Sequence, residues 1–476
     1  MSKILFGQSY YLRFDPKLWA SMQPYPPLGT LYAASYVRAR EYEVALFDAM
    51  LAESEEGWAT SLDQHDPKYA ILFEDNFNYL SKMCLSRMRD AAFTMIQMAK
   101  ARGCIVIVCG ADATDHYTDY LARGADFVLL GEGEETLGEL LDQLEGKKEA
   151  GEIIGLVSRD STRAIRRPDI TNLDALPFPA WDLVDIEKYR SIWMKRHGYF
   201  SMNMVTTRGC PYHCNWCAKP IWGQRYNSRS PENVVAEMKW IKDTYRPDHI
   251  WFADDILGLK PRWLEKFSDL IIDNDSVIPF KCLQRADLVT EKVAAALARA
   301  GCKTVWIGAE SGSQKILDAM EKGDQVEDIY QASRLLRSQG IEVGFFLQFG
   351  YPGETWEDIQ LTLQMVRDCA PDDIGISVSY PLPGTKFYES VKLELGEKQN
   401  WVDSEDLAML YRGPYPTEFY RILYGRVHHE FRLRRAWRKP SLRGLVIAPL
   451  NLLLLVRNEM RMKGFTKDKK HDLQVR

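Results

Sequence analysis

Short apolar runs alternate with longer segments of helical period through residues 1 to about 150. "KILFG", "EVALFD", "YAILFE", "CIVIVCG" and "DFVLLGE" have the length and composition of strands. Between them, "LGTLYAASYVRAR" and "RMRDAAFTMIQMAKA" repeat apolar residues every three to four positions, as an amphipathic helix does. The alternation predicts a parallel sheet wound by helices, with ligand sites at the carboxyl ends of its strands, in the loops after "VCG" and "LLGEGE".

From about 150 to 200 the pattern decays into "RRPDITNLDALPFPAWDLVD", where Pro168, Pro177 and Pro179 disfavour helix at the residues before them. A second series begins near residue 200. Strands "FSMNMVTT", "HIWFAD", "FKCLQ", "TVWIGAE", "VGFFLQFG" and "IGISVSYPL" alternate with helices such as "PENVVAEMKWIKDTY" and "TWEDIQLTLQMVRDC". Six β/α units in a row predict a barrel or partial barrel with its site at the carboxyl ends of the strands. The expected class is therefore α/β: a Rossmann-like domain over 1–150, a connector over 151–195, a partial (β/α)6 barrel over 196–385 and a helical region over 386–476.

Composition narrows the partners. A chain of 476 residues needs two or three cores, and a net charge of -5 gives no global signal for nucleic acid, so a small-molecule substrate is expected. Nine cysteines and a start without a cleavable leader pattern point to reduced thiols in the cytoplasm. Near the other end, "LVIAPLNLLLLV" (445–456) is broken by Pro449 and Asn451 and falls short of the ~20 apolar residues of a spanning helix. With Arg443, Arg457 and Arg461 around it, this segment is either buried in the fold or a dimer contact, or else a peripheral membrane contact.

The chemistry concentrates in "TTRGCPYHCNWCAK". Cys210, Cys214 and Cys217 are spaced C-x3-C-x2-C, with His213 as the one local candidate for a fourth ligand. A structural zinc site takes four closed ligands, whereas a [4Fe–4S] cluster can take three thiolates and keep an open iron. The spacing alone allows both.

The strand, the "RGCPYHCNWC" loop and Trp216 before its last cysteine resemble the radical S-adenosylmethionine (SAM) superfamily. The resemblance implies that Cys210, Cys214 and Cys217 bind three irons of a [4Fe–4S] cluster and that SAM chelates the fourth. It also implies SAM contacts along the series: Trp216 in the loop, Asp254 and Asp255 of "FADD", Gln284 and Arg285 of "CLQRADLV", and Glu310 and Ser311 of "IGAESGS". Gln348, Gly350 and Pro352 of "LQFGYPGET" fall where adenine and substrate would approach.

The first 150 residues resemble the cobalamin-binding domains that precede such barrels in one large subfamily. On that resemblance Gly29, Gly110, Asp112, Thr114, Gly131, Glu132 and Gly133 contact cobalamin. Small residues after a strand let a bulky ligand approach, and "GEGEETL" opens a helix whose amides can meet polar ligand atoms. The Asp-x-His-x-x-Gly motif is missing, His65 and His116 have the wrong neighbours, and "EDNFNYLSK" follows the third strand, so base-off binding without a histidine ligand is expected. The alternative is a module that binds nothing and docks on the barrel.

The activity implied is reductive cleavage of SAM to a 5′-deoxyadenosyl radical, fed by a one-electron reductant such as flavodoxin or ferredoxin, and methyl transfer to an unactivated carbon. "DATDHYTDYLARGADFVLLGEGEETL" and "WVDSEDLAMLYRGPYPTEFYR" are also similar to anaerobic magnesium-protoporphyrin monomethyl ester cyclases, which implies oxidative cyclisation as the alternative. A non-catalytic cobalamin or iron–sulfur sensor and a scaffold using the basic carboxyl-terminal region are the other classes left open.

Overall fold

The computed structural model describes residues 3–149, 151–160, 163–217, 221–440 and 442–474, apart from the side chains of 442, 443, 445 and 466–474. Its first sheet consists of β1 (Lys3–Gly7), β2 (Glu43–Leu46), β3 (Tyr69–Phe73), β4 (Ile105–Cys109), β5 (Phe127–Leu129) and β6 (Leu156–Ser158). The order is β2-β1-β3-β4-β5-β6, parallel except for the antiparallel pairing of β6 with β5. All five residues of β3 are buried, because helices cover both faces of a central parallel strand. Strand order reverses between β1 and β3, the crevice where such sheets receive ligands. The sheet takes β6 from the stretch expected to be only a connector.

That stretch also packs. Trp181, Tyr189 and Trp193 are fully buried, and Trp193 Nε1 donates to the Pro24 carbonyl at 2.7 Å. The chain then enters the second sheet at β7 (Ser201–Met204) and makes a small antiparallel hairpin from β8 (Thr207–Arg208) and β9 (Asn227–Ser228). It continues through β10 (His249–Phe252), β11 (Phe280–Gln284), β12 (Cys302–Glu310), β13 (Glu342–Phe349) and β14 (Asp373–Val378). Strands β7, β10, β11, β12, β13 and β14 lie side by side in that order, all parallel, as an open half-barrel.

Its helices start where the sequence provides caps. Ser230 accepts from the Asn233 amide ahead of Pro231, and Thr355 and Asp358 form a capping box for Trp356–Cys369. One hydrophobic core runs from Tyr25 and Leu28 through Trp181 and Trp193 to Phe252 and Ile307 in the half-barrel. It continues into Phe419 and Leu423 of the helix Thr417–Arg438, which packs against the last helix, Leu442–Gln474.

Candidate functional site

The hairpin β8–β9 closes the base of the thiol loop by pairing Thr207 with Ser228 and Arg208 with Asn227. Gly209 turns the chain at φ +79°, where a Cβ would lie 2.3 Å from the Arg225 carbonyl oxygen, so only glycine fits. Cys210 is buried, Cys214 and Cys217 are half-buried, and His213 is exposed. Arg285 Nη1 reaches Cys214 Sγ at 3.7 Å, and its guanidinium lies 3.8 Å over the Tyr212 ring. Trp216 packs against the cluster of Ile316, Met320, Tyr351 and Phe387, with its Nε1 buried and without a partner among the described residues.

The three thiols share this loop without converging: among the described residues no three His, Cys, Asp or Glu side chains are grouped to hold a metal ion. Thiolates repel one another, and a metal is what draws them to a point. The donor chemistry fits a [4Fe–4S] cluster: three soft sulfurs, one cationic neighbour, and the only local histidine turned to solvent.

Around the loop stand the strand ends of the half-barrel. Asp254, buried, accepts from the Thr206 and Thr207 amides at 2.7 and 2.6 Å and from the Thr207 hydroxyl at 2.6 Å, all through Oδ1. Burial pushes its carboxyl up to about 6 against those hydrogen bonds. Arg285 is fixed by Asp287 at 3.0 Å and by the Lys322 carbonyl at 2.9 Å.

Glu310 sits at φ +55°, directly after the register of β12 slips between Gly308 and Glu310. A glutamate held there stores about 1–3 kcal/mol of strain, which fixes where its carboxylate points. Burial raises that carboxyl to about 7. Lys322 Nζ lies 4.0 Å from Glu310 and 3.6 Å from Asp324, and both Asp324 oxygens are buried without a hydrogen bond among the described residues. Glu310, Lys322, Asp324 and Arg285 thus form a buried cluster of both charges with unmet hydrogen-bonding capacity beside the thiol loop.

Other expected SAM contacts are engaged within the protein. Gln284 Nε2 donates to the Leu257 carbonyl, the fully buried Ser311 hydroxyl faces Thr362, and Gln348 Nε2 donates to Ser379. Gly350, at φ +84°, donates its amide to Glu354 at 2.7 Å, and Pro352 is exposed at the tip of the following turn. Asp255 pairs with Lys82 of the first domain at 3.1 Å.

At the strand ends of the first sheet, the glycines named as cobalamin contacts also lie close to the protein's own atoms. A Cβ on Gly110 would fall 2.7 Å from Glu74 Cγ, on Gly133 2.4 Å from Cys109 Sγ, on Gly131 3.0 Å from Arg166 Nε and on Gly29 3.2 Å from the Asn76 amide. Thr114 donates its hydroxyl to the Gly110 carbonyl at 2.8 Å. Asp112 takes Arg89 Nε at 2.7 Å and the Tyr120 hydroxyl at 2.8 Å. Burial alone would raise Asp112, but hydrogen bonds from Arg89 and His116 hold it below the usual carboxylate range.

Sequence reasoning missed the crevice itself. Glu74, Asp75 and Asn76, consecutive after β3, are all buried. Glu74 accepts from the Ser9 amide at 3.1 Å and burial raises it to about 7, while Asp75 accepts from the Gly29 amide at 2.9 Å. Three polar residues behind a wholly apolar strand were the available signal.

It also missed the joint between the sheets. Arg208, two residues before Cys210, binds Glu132 at 3.0 Å and Glu134 at 2.6 Å, and all three side chains are at most 6% exposed. Lys82 Nζ stands 5.3 Å over the Trp222 ring, which stacks on Phe77 at 5.0 Å. The loops after β3 and β5 thereby meet the thiol loop and the loop after β10 around one mouth.

Residues 204–366 match the family model described as the radical SAM superfamily. The chain is 28% identical over 442 residues to an uncharacterized methyltransferase of Pyrococcus horikoshii, covering 87% of this chain and 93% of that protein. It is 25% identical over 326 residues to the anaerobic magnesium-protoporphyrin IX monomethyl ester cyclase of Synechocystis, covering 66% of this chain and 63% of that one. Among solved structures it shares the fold of the cobalamin-dependent S-adenosylmethionine radical enzyme OxsB with aqua-cobalamin and S-adenosylmethionine bound. The TM-score is 0.71 at 16% identity, over 100% of this chain and 81% of that one.

Proposed function

Because the chain carries a radical SAM domain in residues 204–366, we propose that it is a cobalamin-dependent radical SAM enzyme that methylates an unactivated carbon of a small molecule. The observation that carries this reading is the dry Arg208–Glu132–Glu134 ion pair, which ties the thiol loop to the helix start at the end of β5. The ion pair sets the strand ends of the first sheet beside the thiol loop, where a group held at one could act with a group held at the other. The likeness to a methyltransferase across nearly the whole chain supports methyl transfer.

Cys210, Cys214 and Cys217 would hold the cluster, and the crevice between β1 and β3 would hold cobalamin base-off, since His116 is turned to Asp112 and Arg89. When bound, the cluster supplies the electron that splits SAM, and cobalamin carries the methyl group. The protein positions and desolvates the reactants. Asp254 fixes the start of the thiol loop, Arg285 holds its middle, and Glu310, Lys322 and Asp324 offer charges of both signs for the ammonium and carboxylate of SAM. The packed joint between the sheets keeps water from the mouth.

Anaerobic reconstitution with iron and sulfide tests the reading. Wild-type protein and Cys369→Ala should gain an iron–sulfur absorbance and release 5′-deoxyadenosine from SAM under dithionite, whereas Cys210→Ala, Cys214→Ala and Cys217→Ala should lose both completely. A colourless protein holding one zinc ion would end it. The second reading, oxidation without methyl transfer, is favoured by the likeness to the cyclase, and product mass separates the two: a gain of one CH2 against a loss of hydrogen.

The electron is proposed to come from a flavodoxin- or ferredoxin-like donor. The helix pair at the carboxyl end is proposed to rest on a membrane surface. Trp437 is 84% exposed and Val446 78%, while 417–463 holds eleven Arg and Lys against three Glu. No helix among the described residues is long and apolar enough to cross a membrane.

A further inference from the structure

The concave face of the half-barrel carries a surface that the cofactor sites leave unused. Burial alternates along β10, β11, β12 and β14: Phe252, Cys282, Ile307 and Ile376 lie dry beneath the helices, while Trp251, Leu283, Trp306 and Ser377 on the other face are half-exposed. Phe346 of β13, on that same face, is 39% exposed. In a closed barrel these inward positions would fill one another; here they line a hollow.

Its floor is flat and aromatic. Trp306 and Phe346 stack at 4.7 Å with 27° between their planes. They lie down because their neighbours are glycines: a Cβ on Gly344 would fall 2.5 Å from the Trp306 ring, and one on Gly375 3.0 Å from Phe346. Glycine inside a strand weakens it and is kept where something must approach closely. At the far end from the mouth stands Lys281, whose Nζ lies 5.1 Å from the Trp251 ring and 5.5 Å from the Tyr25 ring. Lys281 has no hydrogen bond or ion pair among the described residues. The carboxylate that acts on it at longer range is Asp373, which also accepts from the Ile374 amide and faces Arg435.

We propose that this hollow is the substrate site and takes a planar, largely apolar molecule with an acidic group: the ring system on Trp306 and Phe346, the acid on Lys281. This rests on the radical SAM reading only for which end reacts. Lys281 is level with Thr304, and Glu310 at the mouth is six residues further along β12, about 20 Å at 3.3 Å per residue. Phe346 is level with Gly308, so a ring lying on it is within about 7 Å of the Glu310 level, where the reacting carbon has to be.

The test is a fluorescence titration of the full-length protein, as isolated, with 1-pyrenebutyrate and its neutral counterpart 1-pyrenebutanol. Wild type should bind the acid at least tenfold tighter than the alcohol. Lys281→Met should remove that preference while keeping the alcohol's affinity, Lys281→Arg should restore it, and Trp306→Leu should weaken both probes at least fivefold. Equal affinity of wild type for the two probes overturns the proposal without any variant, and so does binding untouched by Lys281→Met and Trp306→Leu. The titration needs neither cluster nor SAM, so a failure here leaves the SAM-cleavage result standing, and the reverse.

Discussion

The two six-stranded sheets use the same β/α alternation to opposite ends. The first is dry on both faces at its centre: every residue of β3 and four of the five in β4 are buried. The second is dry on one face only, with every other residue of β11 and β14 half-open to the concave side. One sheet is a wall that presents its strand ends, and the other is a trough that presents its strand ends and its inside. Glycine marks the difference. In the first domain, Gly110 and Gly133 let Glu74 and Cys109 of the protein itself pack close, whereas Gly344 and Gly375 let two aromatic rings lie flat and leave the space above them open.

The comparison breaks most severely at the joint. Arg208→Met leaves Glu132 and Glu134 buried without their cation and should cost about 3–5 kcal/mol. Arg102→Met, which removes a surface pair with the 65%-exposed Asp63, should leave the urea midpoint essentially where it is. Urea titration measures both. A loss at Arg208 as small as that at Arg102 would mean that the wall and the trough are not held together there.

This joint was the least legible part of the molecule. Apolar runs and caps predicted the strands and helices of both sheets, because local patterning is enough to distinguish a dry parallel strand from a helix face. The thiol spacing and its neighbours singled out the thiol loop for the same reason, since all three sulfurs lie within eight residues. Arg208 and Glu134 are 74 residues apart, and Lys82 and Asp255 are 173 apart, so no local pattern pairs them. Gly110 was read as space for a bulky ligand, and the side chain packed against it is Glu74 of the protein itself; a glycine's missing Cβ does not reveal which close neighbour it serves.

Glycine substitution sharpens the comparison with a smaller effect. Gly133→Ala meets both φ +93° and a sulfur 2.4 Å away, and should cost about 2–4 kcal/mol. Gly375→Ala places its methyl 3.0 Å from the Phe346 ring, which can tilt into the hollow, and should stay within about 1 kcal/mol of neutral. Thermal unfolding at one pH ranks them. Equal losses would show that the trough is as tightly packed as the wall.

A pH-dependent effect separates the strand ends of the two sheets. Each sheet ends in a buried carboxyl raised by burial from 4.5 to about 7, Glu74 in the crevice and Glu310 beside the thiol loop. A raised carboxyl means that the folded state holds its proton more tightly than the unfolded chain. The stability it contributes is therefore complete below about 4.5 and is lost as pH rises through about 7. For each group the loss is at most about 3.4 kcal/mol. Glu74→Gln and Glu310→Gln should each flatten the fall in Tm between pH 5 and 8, and their effects should add, because the two groups belong to different sheets. Saturating SAM should then distinguish them. If its ammonium pairs with Glu310, SAM favours the ionised carboxylate and flattens the slope in wild type and in Glu74→Gln, leaving Glu310→Gln unchanged. The same change in all three proteins would place SAM away from Glu310.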